Sequence, residues 1–143
     1  MFLNYFNFKL NTNTVKTTTL EIGDGTFLIN YLNNIPNTNP YILSFYDNKI
    51  VNNIIGNVNI NVCNKNDIYI DDKCKYDLIY INSDNNIFSF YENIVLSFKI
   101  LKQGGILIIG KKYNKEVIDN FIRSFDSQIV VLHNSDRLYI EKK

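Results

Sequence analysis

Short apolar runs alternate along this chain with stretches in which apolar residues recur at helical spacing. Thr17-Thr18-Thr19-Leu20-Glu21-Ile22 reads as a strand closed by Gly23 and Gly25. Phe27, Leu28, Tyr31 and Leu32 follow at helical spacing, ended by Asn33-Asn34 and Pro36. Tyr41 to Tyr46 is a second strand with Asp47 at its end, and Ile50, Val51, Ile54 and Ile55 suggest a brief helix stopped at Gly56. Val58, Ile60 and Val62 alternate with Asn, as in a strand with one polar face. Asp77 to Ile81 is nearly continuous in hydrophobicity, which fits a strand covered on both faces.

The strongest helical pattern comes next, with Ile87, Phe88, Tyr91, Ile94, Val95, Phe98 and Leu101 on one face. Asn85 or Asn86 can cap its start, and Gly104 suits a left-handed turn at its end. Gly105 to Gly110 reads as a buried strand, and Val117, Ile118, Phe121, Ile122 and Phe125 as a last helix. Gln128–Leu132 and Arg137–Glu141 are strands joined by His133-Asn134-Ser135-Asp136 into an antiparallel hairpin. Such an order calls for an α/β fold: a mainly parallel sheet, helices on both faces and a C-terminal antiparallel hairpin. Residues 17–143 form this domain. Residues 1–16, with Phe2, Tyr5, Phe6, Phe8 and Leu10, form an arm before it, packed on the sheet or mediating a homodimer.

The length of 143 residues suits a single domain, and 45% hydrophobic with 20% charged residues is ordinary globular composition. A net charge of +1 gives no electrostatic reason to expect nucleic acid or an anionic membrane as partner. No apolar run is long enough to span a bilayer. Met1-Phe2-Leu3-Asn4-Tyr5 lacks the basic flank of a secretory leader, and Cys63 and Cys74 are too few for a disulfide framework, so a cytoplasmic location is expected. Asn and Ile supply about a third of the chain and Ala is absent, a bias expected of an A/T-rich genome, those of some large viruses included. Individual Asn residues therefore carry little functional information.

In an open parallel sheet, ligands bind outside the carboxyl ends of the strands. Glu21-Ile22-Gly23-Asp24-Gly25 offers a tight turn that lets a ligand approach the backbone, followed by the free N–H groups of a helix start. Asp47 ends the next strand at about the 20-residue spacing of a ribose-binding acid. Leu28 interrupts a dinucleotide fingerprint, and no P-loop Gly-Lys-Ser/Thr exists.

Leu20-Glu21-Ile22-Gly23-Asp24-Gly25 resembles the first motif of class I S-adenosylmethionine-dependent methyltransferases. Tyr76 to Asn85 is similar to the fourth-strand motif of their small-molecule and sugar O-methyltransferase branch, and Leu101-Lys102-Gln103-Gly104-Gly105 to that branch's entry into the fifth strand. Asp136-Arg137-Leu138-Tyr139-Ile140 resembles the last strand. The resemblance implies a Rossmann-like methyltransferase fold with S-adenosyl-L-methionine as cofactor. It implies that Gly23 and Gly25 line the methionine end, Glu21 orients the turn or reaches the amino group through water, and Asp47 holds the ribose. Asn82 to Asn85 would face the methyl group, with Asp84 the best-placed base, and Asp67 is a candidate for the adenine.

Departures from the pattern accompany it. Phe27 replaces the third glycine, and its bulk is expected to crowd the methionine end. Asn82 and Gly110-Lys111 stand where metal-using members carry acids, so a metal-independent reaction is expected. Asn85 replaces a histidine, the third and fourth strands leave little room for a helix between them, and the usual N-terminal lid has no counterpart. Tyr113 and His133 are weaker candidate bases, and Lys111, Lys112 and Lys115 form a small basic cluster suited to an anionic substrate. Two functions follow: methyl transfer to a small hydroxylated acceptor such as a sugar, or an inactive methyltransferase-like scaffold for binding or assembly.

Overall fold

The computed structural model describes residues 17–27, 38–44, 60–63, 74–82, 86–110, 113–134 and 137–143. The arm (1–16), most of the first helix (28–32), the helix at Ile50–Ile55, Asp47, Asp67, Ser83 to Asn85, Lys111, Lys112 and the hairpin tip Ser135-Asp136 lie outside those residues.

Seven strands form one sheet: β1 (Thr17–Gly23), β2 (Thr38–Ser44), β3 (Asn61–Cys63), β4 (Tyr76–Ile81), β5 (Leu101–Ile109), β6 (Ile129–Asn134) and β7 (Leu138–Lys142), in the order β3-β2-β1-β4-β5-β7-β6. β1 to β5 pair in parallel, while β7 pairs antiparallel with both β5 and β6. The expected mainly parallel sheet with its closing hairpin is therefore present. Helix α1 (Ile87–Ile100) joins β4 to β5, and α2 (Lys115–Ser124) with a short 3₁₀ turn (Asp126–Gln128) joins β5 to β6.

The sheet separates its side chains by parity. Leu20, Ile22, Ile79, Ile81, Leu107, Ile109, Leu138 and Ile140 point to the face that α1 and α2 cover, where they meet Phe90, Ile94, Phe98, Val117, Ile118 and Phe121. Phe98 and Phe121 cross edge to face at 5.5 Å. On the opposite face Leu78, Tyr80, Ile106 and Ile108 form a second cluster joined by Phe27, Leu132 and Tyr139. β4 is thus buried on both sides, as its continuous hydrophobicity predicts.

Several local expectations are corrected. β2 begins at Thr38 and incorporates Pro40, which a strand interior normally rejects. β3 reaches only Tyr41 to Leu43 of β2, so Pro40 lies where β2 is paired with β1 alone. Gly104 is left-handed, with φ of 79°, but inside β5 rather than at the helix end. Between Tyr76↔Leu101 and Leu78↔Ile106 the β4–β5 register shifts, and a left-handed glycine absorbs the extra residues of β5. The buried stripe of α1 runs through Phe90, Asn93, Ile94, Ser97 and Phe98, leaving Phe88 86% exposed. His133 belongs to β6 rather than to the hairpin turn.

Asn86 caps α1, its side chain accepting the N–H groups of Phe88 and Ser89 at 3.0 and 3.1 Å. At the other end the chain turns directly into β5. The Leu101 N–H caps the Phe98 and Ser97 carbonyls, and the Lys142 ammonium adds donors to the carbonyls of Phe98 (2.9 Å) and Leu101 (2.8 Å), so a side chain from the last strand reinforces the helix end. Lys142→Met keeps the stem and loses the donors. It is expected to lower stability by about 1.5–3 kcal/mol, the range for bonds to a charged group, read as a reduced urea midpoint at unchanged m-value.

Candidate functional site

β1 to β3 progress in one direction across the sheet and β4 to β5 in the other, so the strand order reverses between β1 and β4. The carboxyl ends of these two strands flank the crevice that such a reversal opens. Residues expected to carry chemistry gather here: Glu21, Gly23 and Gly25 from β1 and its loop, and Asn82 directly after β4.

Local hydrogen bonds fix this loop. Glu21 is fully buried, paired in register with Tyr80 of β4, and its carboxylate accepts the N–H of Gly25. Asp24 accepts the Thr26 N–H at 3.0 Å, a side-chain turn that leads into the helical residues Thr26 and Phe27. Gly25 has φ of 93°, a conformation that disfavours any side chain. At Gly23 a Cβ would stand 3.1 Å from the Asn82 Cβ, so a side chain here would push Asn82 back by a few tenths of an ångström. The Asn82 N–H donates to the Ile22 carbonyl at 2.9 Å, and the Gly110 N–H to the Ile81 carbonyl at 2.8 Å, continuing the sheet's bonding one step beyond the strands.

Phe27 does something its sequence position does not reveal. Its ring stacks on Tyr80, centroids 4.2 Å apart and planes within 2°, and joins the cluster on the second face of the sheet. Where a glycine would let a helix approach the strands closely, the chain instead fills the gap with two parallel rings. Arg137 adds its guanidinium carbon at 5.5 Å from the Phe27 centroid and 5.4 Å from that of Tyr80. The Tyr80 hydroxyl reaches the carboxyl edge, where a Cβ on Gly110 would lie 2.7 Å from it and 3.1 Å from Asn82 Oδ1. Tyr80 and Arg137 were not expected from the sequence. The signal for Tyr80 was its parity: it shares a face with Glu21, one strand away.

Asn82 and Gly110 bring no carboxylate to the ends of β4 and β5, and among the described residues no group of three or more metal-ligating side chains converges. Tyr113 packs against the core under the helices. Among the described residues no helix is long and apolar enough to cross a membrane.

No protein-family model and no curated protein matches the sequence. Solved structures do match. NodS, an N-methyltransferase of Bradyrhizobium japonicum WM9 in complex with S-adenosyl-L-homocysteine, is similar over 98% of this chain and 83% of its own, with 13% identity and a TM-score of 0.66. Precorrin-6y C5,15-methyltransferase from Geobacter metallireducens GS-15 is similar over 95% of this chain and 84% of its own, at 12% identity and a TM-score of 0.62. MycE, from the mycinamycin biosynthetic pathway and in complex with Mg and S-adenosyl-L-homocysteine, covers 99% of this chain at 15% identity and a TM-score of 0.67, and this chain spans 46% of MycE. The chain has the fold of the class I S-adenosylmethionine-dependent methyltransferases. Within that fold, the loop held by Glu21 is the first turn, and it leads into the helical residues Thr26 and Phe27, the latter stacked on Tyr80.

Burial is the main cause that raises the Tyr80 pKa above its ordinary 10.0, with Arg137 opposing and Glu21, Asp24 and Tyr139 adding to the rise. The unfolded chain releases this proton at about pH 10 while the folded chain retains it. Stability present below about pH 10 is therefore lost as pH rises through the folded value. Tyr80→Phe is expected to shrink the difference between urea midpoints measured at about pH 9 and about pH 11; an unchanged difference would show that Tyr80 ionises as freely in the folded chain.

Proposed function

We propose that this chain binds S-adenosyl-L-methionine at the carboxyl ends of β1 and β4 and moves its methyl group to a small hydroxylated acceptor, such as a sugar, without a metal. The observation that carries the reading is the Glu21-latched glycine loop at the point where strand order reverses. The residues present suit such a cofactor. Gly23 faces Asn82 without a side chain between them, Gly25 holds a backbone conformation that favours glycine, and the bulk of Phe27 is stacked onto Tyr80 over the sheet face.

In this reading Gly23 and Gly25 receive the methionine end, Glu21 keeps their turn in shape, Asp47 accepts hydrogen bonds from the ribose and Asn82 faces the methyl group. When bound, the cofactor supplies a methyl on a positively charged sulfur that leaves as a neutral thioether. The protein's share is alignment of the acceptor oxygen and removal of its proton, for which Asp84 is the assigned base. A hard cation at this edge would lack carboxylate ligands from Asn82 and Gly110, which favours a reaction run by positioning and a protein base without a metal.

A scaffold that has lost catalysis is the second reading, favoured by Phe27 at a glycine position and by Asn85 at that of a histidine. Calorimetry separates them. The enzyme reading expects S-adenosyl-L-homocysteine to bind in the micromolar range, and Asp47→Ala to weaken it by about tenfold or more, which is about 1.4 kcal/mol. No heat at millimolar ligand would leave the scaffold reading alone.

A further inference from the structure

The edge that carries the glycine loop also carries a cation. β7 runs antiparallel to β5 and pairs Leu138 with Ile109, so the residue before it, Arg137, is delivered to the carboxyl end of the sheet beside Gly110. Its guanidinium carbon lies 5.5 and 5.4 Å from the centroids of the parallel Phe27 and Tyr80 rings, beside the stack at the rims of both rings. Among the described residues no ion pair involves Arg137. The buried carboxylate of Glu21 lies three strands away, on β1, and accepts the Gly25 N–H.

The Tyr80 hydroxyl stands at the same edge, near enough for the Arg137 charge to act on it. It faces Gly110, whose missing side chain leaves it space, and neighbours the Asn82 amide oxygen. A tyrosine hydroxyl is protonated at neutral pH, so it offers a hydrogen there. A guanidinium carries five N–H donors in a flat fork and no acceptor. Two donors with a net positive charge call for an oxyanion, and the fork matches the two oxygens of a carboxylate.

We infer that Arg137 and the Tyr80 hydroxyl together bind a carboxylate at the carboxyl edge of the sheet. Two molecules could bring one: the cofactor through its amino-acid end, or an acceptor that is itself a carboxylic acid. In both cases the inference deepens the proposed function and rests on its placement of the ligand at this edge. Carboxylate binding can nevertheless be measured without any cofactor.

The experiment titrates S-adenosyl-L-homocysteine, methylthioadenosine (the same nucleoside thioether without the amino acid) and glutarate into the full chain. Wild type, Arg137→Gln and Tyr80→Phe are compared, with folding checked by circular dichroism. If the cofactor supplies the group, Arg137→Gln weakens S-adenosyl-L-homocysteine about tenfold or more and leaves methylthioadenosine within about twofold, while Tyr80→Phe has a smaller effect of the same kind. If the acceptor supplies it, both nucleosides are unchanged and the loss falls on glutarate added to the chain saturated with S-adenosyl-L-homocysteine. Should Arg137→Gln fail to fold, Arg137→Lys keeps the charge without the fork and should give the same ordering with a smaller loss. Wild type that binds neither nucleoside refutes the proposed function, and glutarate added to the free chain then decides the inference by itself. Losses below about twofold for every carboxylate ligand in both variants, or wild type that takes up no carboxylate, would overturn it.

Discussion

A carboxylate buried in the middle of a sheet is costly unless it is bonded, and the arrangement of this chain's central crevice turns on how Glu21 meets that cost. Glu21 projects from β1 on the face opposite α1 and α2, with no solvent exposure, and takes the N–H of Gly25. One bond thereby ties the end of β1 to the second glycine of the loop. It holds Gly25 in a left-handed conformation and sets where Asp24 can reach Thr26 to start the helix. Without a carboxylate at this position the loop would keep its glycines and lose its shape.

The rest of the structure supports that crevice from both sides. α1 and α2 seal one face with Phe90, Ile94, Phe98 and Phe121, so the strands that present the site cannot slide. On the other face, Phe27 and Tyr80 fill with aromatic area the space that close helix–strand packing would otherwise occupy. Arg137 lies beside the same stack, so Phe27 and Tyr80 adjoin the charge at this edge. At the amino edge Asp77 plays a purely structural part, accepting the Thr18 N–H at 2.8 Å and the Lys102 ammonium at 3.3 Å to bind β1, β4 and β5 together.

Much of this was legible in the residues. Strands buried on both faces announce themselves as unbroken apolar runs, and Leu78 to Ile81 behaves that way in the fold. Glycines after β1 marked the loop correctly, because few residues other than glycine tolerate a positive φ. The same logic misplaced Gly104: a glycine signals a left-handed backbone but not whether a helix ends there or a strand bulges. The face of α1 was misread for another reason. With apolar residues on nearly every side of the helix, several stripes satisfy the spacing, and the buried one includes the polar Asn93 and Ser97. The Tyr80–Phe27–Arg137 group was invisible because its members come from three distant segments, joined only by strand order and parity.

The account stands or falls on the bond between Glu21 and Gly25, and the Gly25 amide proton reports it directly. Nuclear magnetic resonance of the wild type should find that proton shifted downfield and slow to exchange, and Glu21→Gln should move it upfield with faster exchange as the charged acceptor is lost. A Gly25 amide that exchanges at the unprotected rate and is indifferent to Glu21→Gln would contradict the account.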